Sequence, residues 1–331
     1  MTSKAHVLLI DGNSIAHACN STGVMRSGEM ETQAIYGFLR SLRSLVGSSK
    51  HEHTVAYVLW DGRAQWRYDL EPDYKGNRAP KTKDDEERRD RFRKQLPYIY
   101  TLLSCLGVKQ FRCPTQEADD LAGHFTRALN AAGVKVTLVS GDQDWLGLVN
   151  ELTDWFDPIR DRRVDHYSFH EVTGTTGPKQ YYQEKALRGD TSDNIAPIPR
   201  IGKNTQEFIQ QWGTLESYWR AVDAGEYQPK KASKGAKNMH YEDYLASQQG
   251  REHFLRNMRL MDLSMPQPEG AIPKMGELKF ADNGTGPNPE GFLKLLERLN
   301  FFSIIKKADE FFQTFGLTNP RLQQPEPAPV A

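Results

Sequence analysis

The sequence predicts an α/β fold, a three-layer core built on a mainly parallel sheet and followed by a helical region. Three observations carry that expectation. Short apolar runs alternate with stretches of helical spacing through the first half of the chain. Three of those runs end in an aspartate, and beyond about Asp154 they give way to short helical pieces.

Val7 to Ile10 reads as a buried strand running into Asp11-Gly12. Ile35, Phe38, Leu39, Leu42, Leu45 and Val46 then recur at helical spacing, with Gly47 as the stop. Thr54 to Trp60 is a second strand, ending at Asp61-Gly62, and completes a strand-helix-strand unit. A helix over Glu117 to Ala131 leads into a third strand, Lys135 to Ser140, which runs into Gly141-Asp142-Gln143-Asp144. Helices are then expected over Pro178 to Leu187, Thr205 to Trp212, Leu215 to Val222 and Tyr241 to Met261. Met265 to Pro289, rich in Pro and Gly, reads as surface loop, and Glu290 to Phe312 returns to helical spacing. The division expected is an α/β core over 1–175, a helical region over 176–318, and a disordered Pro-rich tail over 319–331.

A chain of 331 residues, 38% hydrophobic and 26% charged, can bury a sizeable core and lacks an apolar run long enough to span a bilayer. A membrane protein is therefore not expected. The polar start, Met1 to His6, lacks the regions of a signal peptide, which predicts a cytoplasmic protein. Cys19, Cys105 and Cys113 have neither metal spacing nor an even count and read as buried thiols. Net charge is zero, yet Lys75 to Lys94 holds nine Lys or Arg against five acids, and Tyr227 to Met239 four Lys against none. Such stretches can grip a phosphate backbone while acids elsewhere cancel the sum, although solvated surface is the commoner use of a charge run.

The acids that cancel them stand at element ends: Asp11 and Asp61 after strands, Glu117, Asp119 and Asp120 at a helix start, Asp142 and Asp144 after a strand, Asp190 and Asp193 after a helix. Alone, each reads as a cap or a turn. Together they point to one site, because ligands of open α/β sheets bind beyond the carboxyl ends of the strands. Converging carboxylates repel strongly and call for cations, and an all-oxygen donor set selects hard ions such as Mg²⁺ or Mn²⁺ over zinc. The scattered histidines, among them His17, His124 and His166, read as structural or exposed.

The segments Leu8-Leu9-Ile10-Asp11-Gly12-Asn13-Ser14, Trp60-Asp61-Gly62, Tyr74-Lys75-Gly76-Asn77-Arg78, Glu117-Ala118-Asp119-Asp120, Ser140-Gly141-Asp142-Gln143-Asp144 and Arg188-Gly189-Asp190-Thr191-Ser192-Asp193-Asn194 resemble the ordered motifs of the 5′-nuclease superfamily. That superfamily has a PIN-like core and includes flap endonucleases and 5′→3′ exonucleases. The likeness spans about residues 7 to 215, with a weaker extension to Phe312. It implies one divalent ion held by Asp11, Asp61, Glu117, Asp119 and Asp120, and a second by Asp142, Asp144, Asp190 and Asp193. Two such ions about 4 Å apart activate a water and stabilise the leaving oxygen, giving 5′-phosphate and 3′-hydroxyl ends.

The same likeness makes Tyr74 to Leu96 a helical arch over a single-stranded 5′ end, with Lys75 and Arg78 at the scissile phosphate. It offers Tyr74 as a stacking platform for an unpaired base, against ordinary packing, and Arg67 as a basic DNA contact. The helical region would contain a helix-hairpin-helix element gripping duplex phosphates through Arg200, Gly202 and Lys203. Here the run Ile195 to Thr205 keeps only Gly202 of the usual glycines, and its prolines 197 and 199 remove two N–H donors. That departure leaves the family's monovalent-cation (K⁺) site at the hairpin open.

The resemblance thus implies a monomeric nuclease acting on DNA flaps, 5′ ends or RNA primers in phage or accessory replication, alongside replication proteins. With no polymerase region after the tail, a free-standing enzyme is expected. A PIN-type ribonuclease, a catalytically weak structure-specific DNA-binding protein and a Mg²⁺-dependent small-molecule phosphatase are the alternatives. The arch and hairpin regions, the full set of nine acids and the basic run from Lys75 to Lys94 weigh against them in turn.

Overall fold

The structure, a computed structural model, describes residues 5–49, 54–228, 239–268, 279–280 and 286–323. The basic run Lys230 to Lys237 and most of the Pro-rich tail lie outside the described residues. β-branched and apolar side chains build the strands β1 (His6–Asp11), β4 (Thr54–Trp60), β6 (Lys135–Val139) and β7 (Thr153–Asp157); β5 (Lys109–Arg112), β8 (Arg162–Val164) and β9 (Lys279–Phe280) join them in the same sheet, while β2 (Arg26–Ser27) and β3 (Met30–Glu31) pair as a separate ribbon. The main sheet has the order β8-β7-β6-β1-β4-β5-β9. Its central pairs are parallel, and only the edge strands β8 and β9 run antiparallel.

Strand alternation sends Leu8, Ile10, Ala56, Val58 and Trp60 to one face of the sheet and Val7, Leu9 and Leu59 to the other. The first face is covered by α1 (Gly12–Asn20), α2 (Gln33–Gly47) and α5 (Leu96–Cys105). The second is covered by α6 (Ala118–Ala131) together with α8 (Pro178–Arg188), α9 (Thr205–Trp212), α10 (Leu215–Asp223), α11 (Tyr241–Ala246) and α12 (Gln248–Met261). These are the three layers predicted. Between β4 and α5 run the short helix α3 (Gln65–Leu70) and the polar helix α4 (Lys83–Arg93), of which only Phe92 is buried. Thr82 caps α4, and acids in its first turn and arginines in its last complement the helix dipole, so it holds without a core of its own. Helix α7 (Phe169–Thr173) links β8 to α8.

The structure corrects the sequence reading in three places. The C-terminal helices α13 (Pro289–Arg298), α14 (Phe302–Ile305) and α15 (Ala308–Thr314) do not extend the α8–α12 group. Phe292, Leu296, Phe311 and Phe312 instead join Ile35, Phe38 and Leu42 in the core on the opposite face of the sheet. The expected helical region 176–318 therefore packs as two groups, and Lys279–Phe280, within the expected loop, adds an edge strand. Strand β5 escaped notice because Lys-Gln-Phe-Arg shows no apolar run; its buried Gln110 bonds to Trp60 Nε1, the Tyr100 carbonyl and the Ser104 hydroxyl. Among the described residues no helix is long and apolar enough to cross a membrane. The three cysteines are buried and free, as expected.

Candidate active site

The chain runs β1 to β4 to β5 in one direction and then returns to β6 and β7 on the other side of β1. This is the switch in strand order where an open α/β sheet leaves a crevice. Asp11 ends β1, Asp61 follows β4, Asp142 follows β6, and the N-terminus of α6 brings Glu117 and Asp119 to the same edge. Each carboxylate is fixed by its surroundings. Asp11 accepts from Ser14 N at 2.9 Å and from Ser140 Oγ at 2.7 Å. Asp61 accepts from Ala118 N at 2.9 Å, Asp119 from Trp145 Nε1 at 2.7 Å, and Asp142 from Asp144 N at 2.8 Å. Asp190 accepts from the Ser192 amide and hydroxyl, both at 2.7 Å. The capping and turn roles are thus real, and the same carboxylates line the cleft.

Close approach of backbones makes this assembly possible. Gly62 N donates to Gln116 O at 2.8 Å, and a Cβ at Gly62 would lie 1.9 Å from Cys113 O, so only glycine lets the loop after β4 dock on the start of α6. Gly189, at φ 70°, ends α8 and turns the chain into the Asp190–Asn194 loop. That loop meets the start of the Tyr74–Leu96 segment and the residue before it: Asn77 Nδ2 donates to Thr191 O at 2.6 Å, Asn194 Nδ2 to Asp73 O at 2.8 Å and Arg78 Nε to Ser192 O at 3.2 Å. Five of the six sequence segments thereby surround one cleft with Tyr74 to Arg78.

The electrostatics are those of crowded acids. Burial, then the neighbouring charges of Asp61 and Asp142, push the Asp11 carboxyl up to about 7. Burial first, then Asp142, raises Asp119 well above the usual carboxylate range. Asp61 and Asp142 keep a face to solvent, yet the protein packed around them raises both. Glu117 goes the other way: burial opposes its ionisation, but Lys75 and Arg67, with hydrogen bonds from Lys75 and Tyr74, outweigh burial and hold it low. At Asp190 burial is likewise outweighed, by the Ser192 hydroxyl and Lys185.

Cations already stand among the acids. Lys75 Nζ donates to Glu117 at 2.8 Å and lies 3.8 Å from Asp193, while Arg78 pairs with Asp193. Lys185, on α8, pairs with Asp144 and lies 3.9 Å from Asp190. Lys185 was not singled out in the sequence, although a lysine on a face otherwise formed by Tyr181, Tyr182, Ala186 and Leu187 is a readable signal. Among the described residues no three acidic, His or Cys side chains gather tightly enough to clasp one ion directly. The donor set is nonetheless all oxygen, crowded and rich in raised carboxyls, which fits hard divalent ions held partly through water.

Three predicted roles are corrected. Asp120 is 0% exposed and accepts from two nitrogens of Arg67, at 2.6 and 2.7 Å, besides the Glu117 amide at 3.0 Å, so both its oxygens are already engaged and its charge is balanced by Arg67 and not by an ion. Arg67 is 2% exposed, bound also to Leu260 O at 3.1 Å, and out of reach of DNA; it anchors α6. Tyr74 is 3% exposed and its hydroxyl donates to Glu117 at 3.0 Å and Asp193 at 3.1 Å, so it packs and hydrogen-bonds and presents no face to a base. Arg200, Gly202 and Lys203 do lie exposed on the turn between α8 and α9, which Ile195, Ile198 and Ile201 hold to the core. Arg200 and Gly202 adopt left-handed backbone, at φ 66° and 46°.

Comparison with known proteins agrees with this architecture. Residues 6–177 match the 5′-3′ exonuclease, N-terminal resolvase-like domain. DNA polymerase I of Lactococcus lactis is 32% identical over 257 residues, 72% of this chain and 27% of that protein. The thermostable DNA polymerase I of Thermus thermophilus is 29% identical over 331 residues, 98% of this chain and 35% of the relative. The chain thus spans about a quarter to a third of the length of these curated relatives. The bacteriophage T5 D15 flap endonuclease, in a pseudo-enzyme-product complex with DNA and metal ions, shares the fold with a TM-score of 0.62 at 19% identity, over 94% of this chain and 99% of that one. With just over half its length matching that domain, this chain belongs to the 5′-3′ exonuclease family.

Proposed function

We propose that the chain is a structure-specific 5′-nuclease that hydrolyses DNA phosphodiesters with divalent ions, Mg²⁺ in the cell and Mn²⁺ as a substitute, leaving 5′-phosphate and 3′-hydroxyl ends. The observation that carries this reading is the convergence of Asp11, Asp61, Glu117, Asp119 and Asp142 at the sheet's switch point, with Lys75 and Arg78 beside them. Asp144, Asp190 and Asp193 extend the acidic lining towards the hairpin. Family membership and the T5 D15 complex with DNA and metal ions support the same reading.

Divalent ions, when bound there, would neutralise the carboxylates and supply the Lewis acidity that phosphodiester hydrolysis needs. The chain's own residues do the rest. The backbone amides of Ser14 and Ala118 and the indole of Trp145 fix the directions of Asp11, Asp61 and Asp119. Burial works against the charge of Lys75, but Glu117, Asp193 and Asp119 outweigh it and raise its pKa, so Lys75 is a donor to phosphoryl oxygens and not a base. Arg78, exposed and paired with Asp193, adds a second positive group at the same mouth. Exposed Arg200, Gly202 and Lys203 grip duplex phosphates, and the arginines of α4 line the path of a single strand. The setting we infer is primer or flap removal in phage or accessory DNA replication, in the cytoplasm.

The test is an end-labelled 5′-flap duplex incubated with Mg²⁺, alongside EDTA and Asp142→Asn. Cleavage near the junction that needs the metal and is lost in the variant, while DNA binding survives, is the expected result. Equal activity in EDTA would overturn the mechanism.

A further inference from the structure

Lys185 has no task in the scheme above, and its position is costly. It lies on α8 with a side chain only 7% exposed, paired with Asp144 and 3.9 Å from Asp190. An ammonium is withdrawn from water at such a place only when fixed carboxylates compensate it. Those carboxylates are fixed. Tyr181 and Tyr182, on the same helix, donate to the carbonyls of Gln143 at 2.8 Å and Asp144 at 3.1 Å, and Ser192 holds Asp190 from the other side.

We infer that Lys185 is a built-in counter-ion for the Asp144–Asp190 half of the cleft and sets how tightly a second divalent ion binds there. This rests on the metal-dependent reading of the site. An incoming ion must either displace the ammonium from Asp144 or bind against its charge, whereas the other half, whose Asp11, Asp61 and Asp119 carboxyls are raised by burial first and by neighbouring acids second, holds its nearest cation, Lys75, on Glu117 and, among the described residues, has no ion pair on those three aspartates. The chain therefore loads its two ions unequally. Lys185 also keeps the second carboxylate group in register while no ion is present. It is a positioning residue for that group and touches no reacting atom.

The test is Mn²⁺ binding to the full chain without DNA, by calorimetry, for wild type, Lys185→Met, Lys185→Gln and Lys185→Arg. Removing one positive charge at this distance should tighten the weaker Mn²⁺ by about tenfold in the Met and Gln variants, while Lys185→Arg should match wild type. The Mg²⁺ concentration for half-maximal flap cleavage should fall in parallel. Unchanged weaker-ion affinity in both neutral variants, beside normal binding of the tighter ion, overturns the role of Lys185 and leaves the metal site standing. Tightening in Lys185→Arg as well overturns it too, because packing and not charge would then be responsible. If no variant and no wild type binds Mn²⁺, both this inference and the underlying site fail. Should Lys185→Met not fold, Lys185→Gln keeps an uncharged polar hydrogen-bond donor in place and carries the measurement.

Discussion

Asp11 offers a quantitative test of the crowded cleft. Its carboxyl is buried and pushed from 3.8 to about 7, first by burial and then by Asp61 and Asp142. A folded value above the unfolded one means that the folded state holds the proton more tightly. The stability this contributes is complete below about pH 4 and is lost as pH rises through about 7. The span corresponds to about 4 kcal/mol for this one group, and Asp61, Asp119 and Asp142 are raised in the same sense. Metal-free protein in EDTA, unfolded by urea at a series of pH values, should therefore weaken between about pH 4 and pH 7, and millimolar Mg²⁺ should remove most of that loss. Asp11→Asn imitates the protonated form. Its amide can still accept from Ser14, and the Ser140 hydroxyl can turn to accept, so the lost hydrogen-bond quality costs only about 1 kcal/mol. The variant should then be more stable than wild type at pH 8 without metal, by roughly 3 kcal/mol once that cost is subtracted from the burial term, and no more stable than wild type at pH 4. A flat wild-type profile, or a variant less stable than wild type at pH 8, would refute the electrostatic account.

Other perturbations separate the roles assigned to the basic residues. Lys75→Ala should lower the single-turnover cleavage rate by about 10²-fold or more with duplex affinity changed far less; a fall in affinity alone would reduce Lys75 to a phosphate anchor. Arg67→Ala strands the buried Asp120 and should destabilise the fold by about 3–5 kcal/mol, read by urea denaturation, whereas a DNA contact would leave stability unchanged and weaken binding. Tyr74→Phe removes the hydroxyl bonds to Glu117 and Asp193 and should depress turnover without affecting single-strand affinity; a stacking role predicts that the phenyl ring preserves both. Arg200→Ala with Lys203→Ala should weaken duplex binding and reduce its salt dependence by about one ion per lost phosphate contact, and an unchanged slope would remove the hairpin from the interface.

Much of this was legible in the residues because the chemistry and the local signals coincide. Asp11, Asp61 and Asp142 each follow an apolar run, so strand ends could be located by hydrophobicity and the acids by identity. Glu117 and Asp119 open a helix of clear periodicity. What escaped was set by tertiary pairing. Asp120 looks like its neighbours in sequence, yet helical rotation turns it inwards onto Arg67, and nothing local signals that a residue 53 positions away supplies its partner. Tyr74 is aromatic at the head of the basic run that starts at Lys75, a pattern shared by stacking platforms and by core residues, and burial decided for the core. Strand β5 lacks any apolar run because one of its two buried positions is filled by Gln110, whose amide is satisfied by Trp60 and by α5, and only the other by Phe111. The C-terminal helices show helical spacing, but spacing does not say which face of the sheet they cover, and Phe292 and Phe312 chose the side of α2 and α5.

The central claim is that these carboxylates bind divalent ions in one place. Crystals grown with Mn²⁺ and measured at an X-ray energy where manganese scatters anomalously would test it most directly. An anomalous peak among Asp11, Asp61, Glu117, Asp119 and Asp142, lost in Asp11→Asn with Asp142→Asn, is the outcome expected. Manganese bound elsewhere on the protein, with that cleft empty at saturating ion, would contradict it.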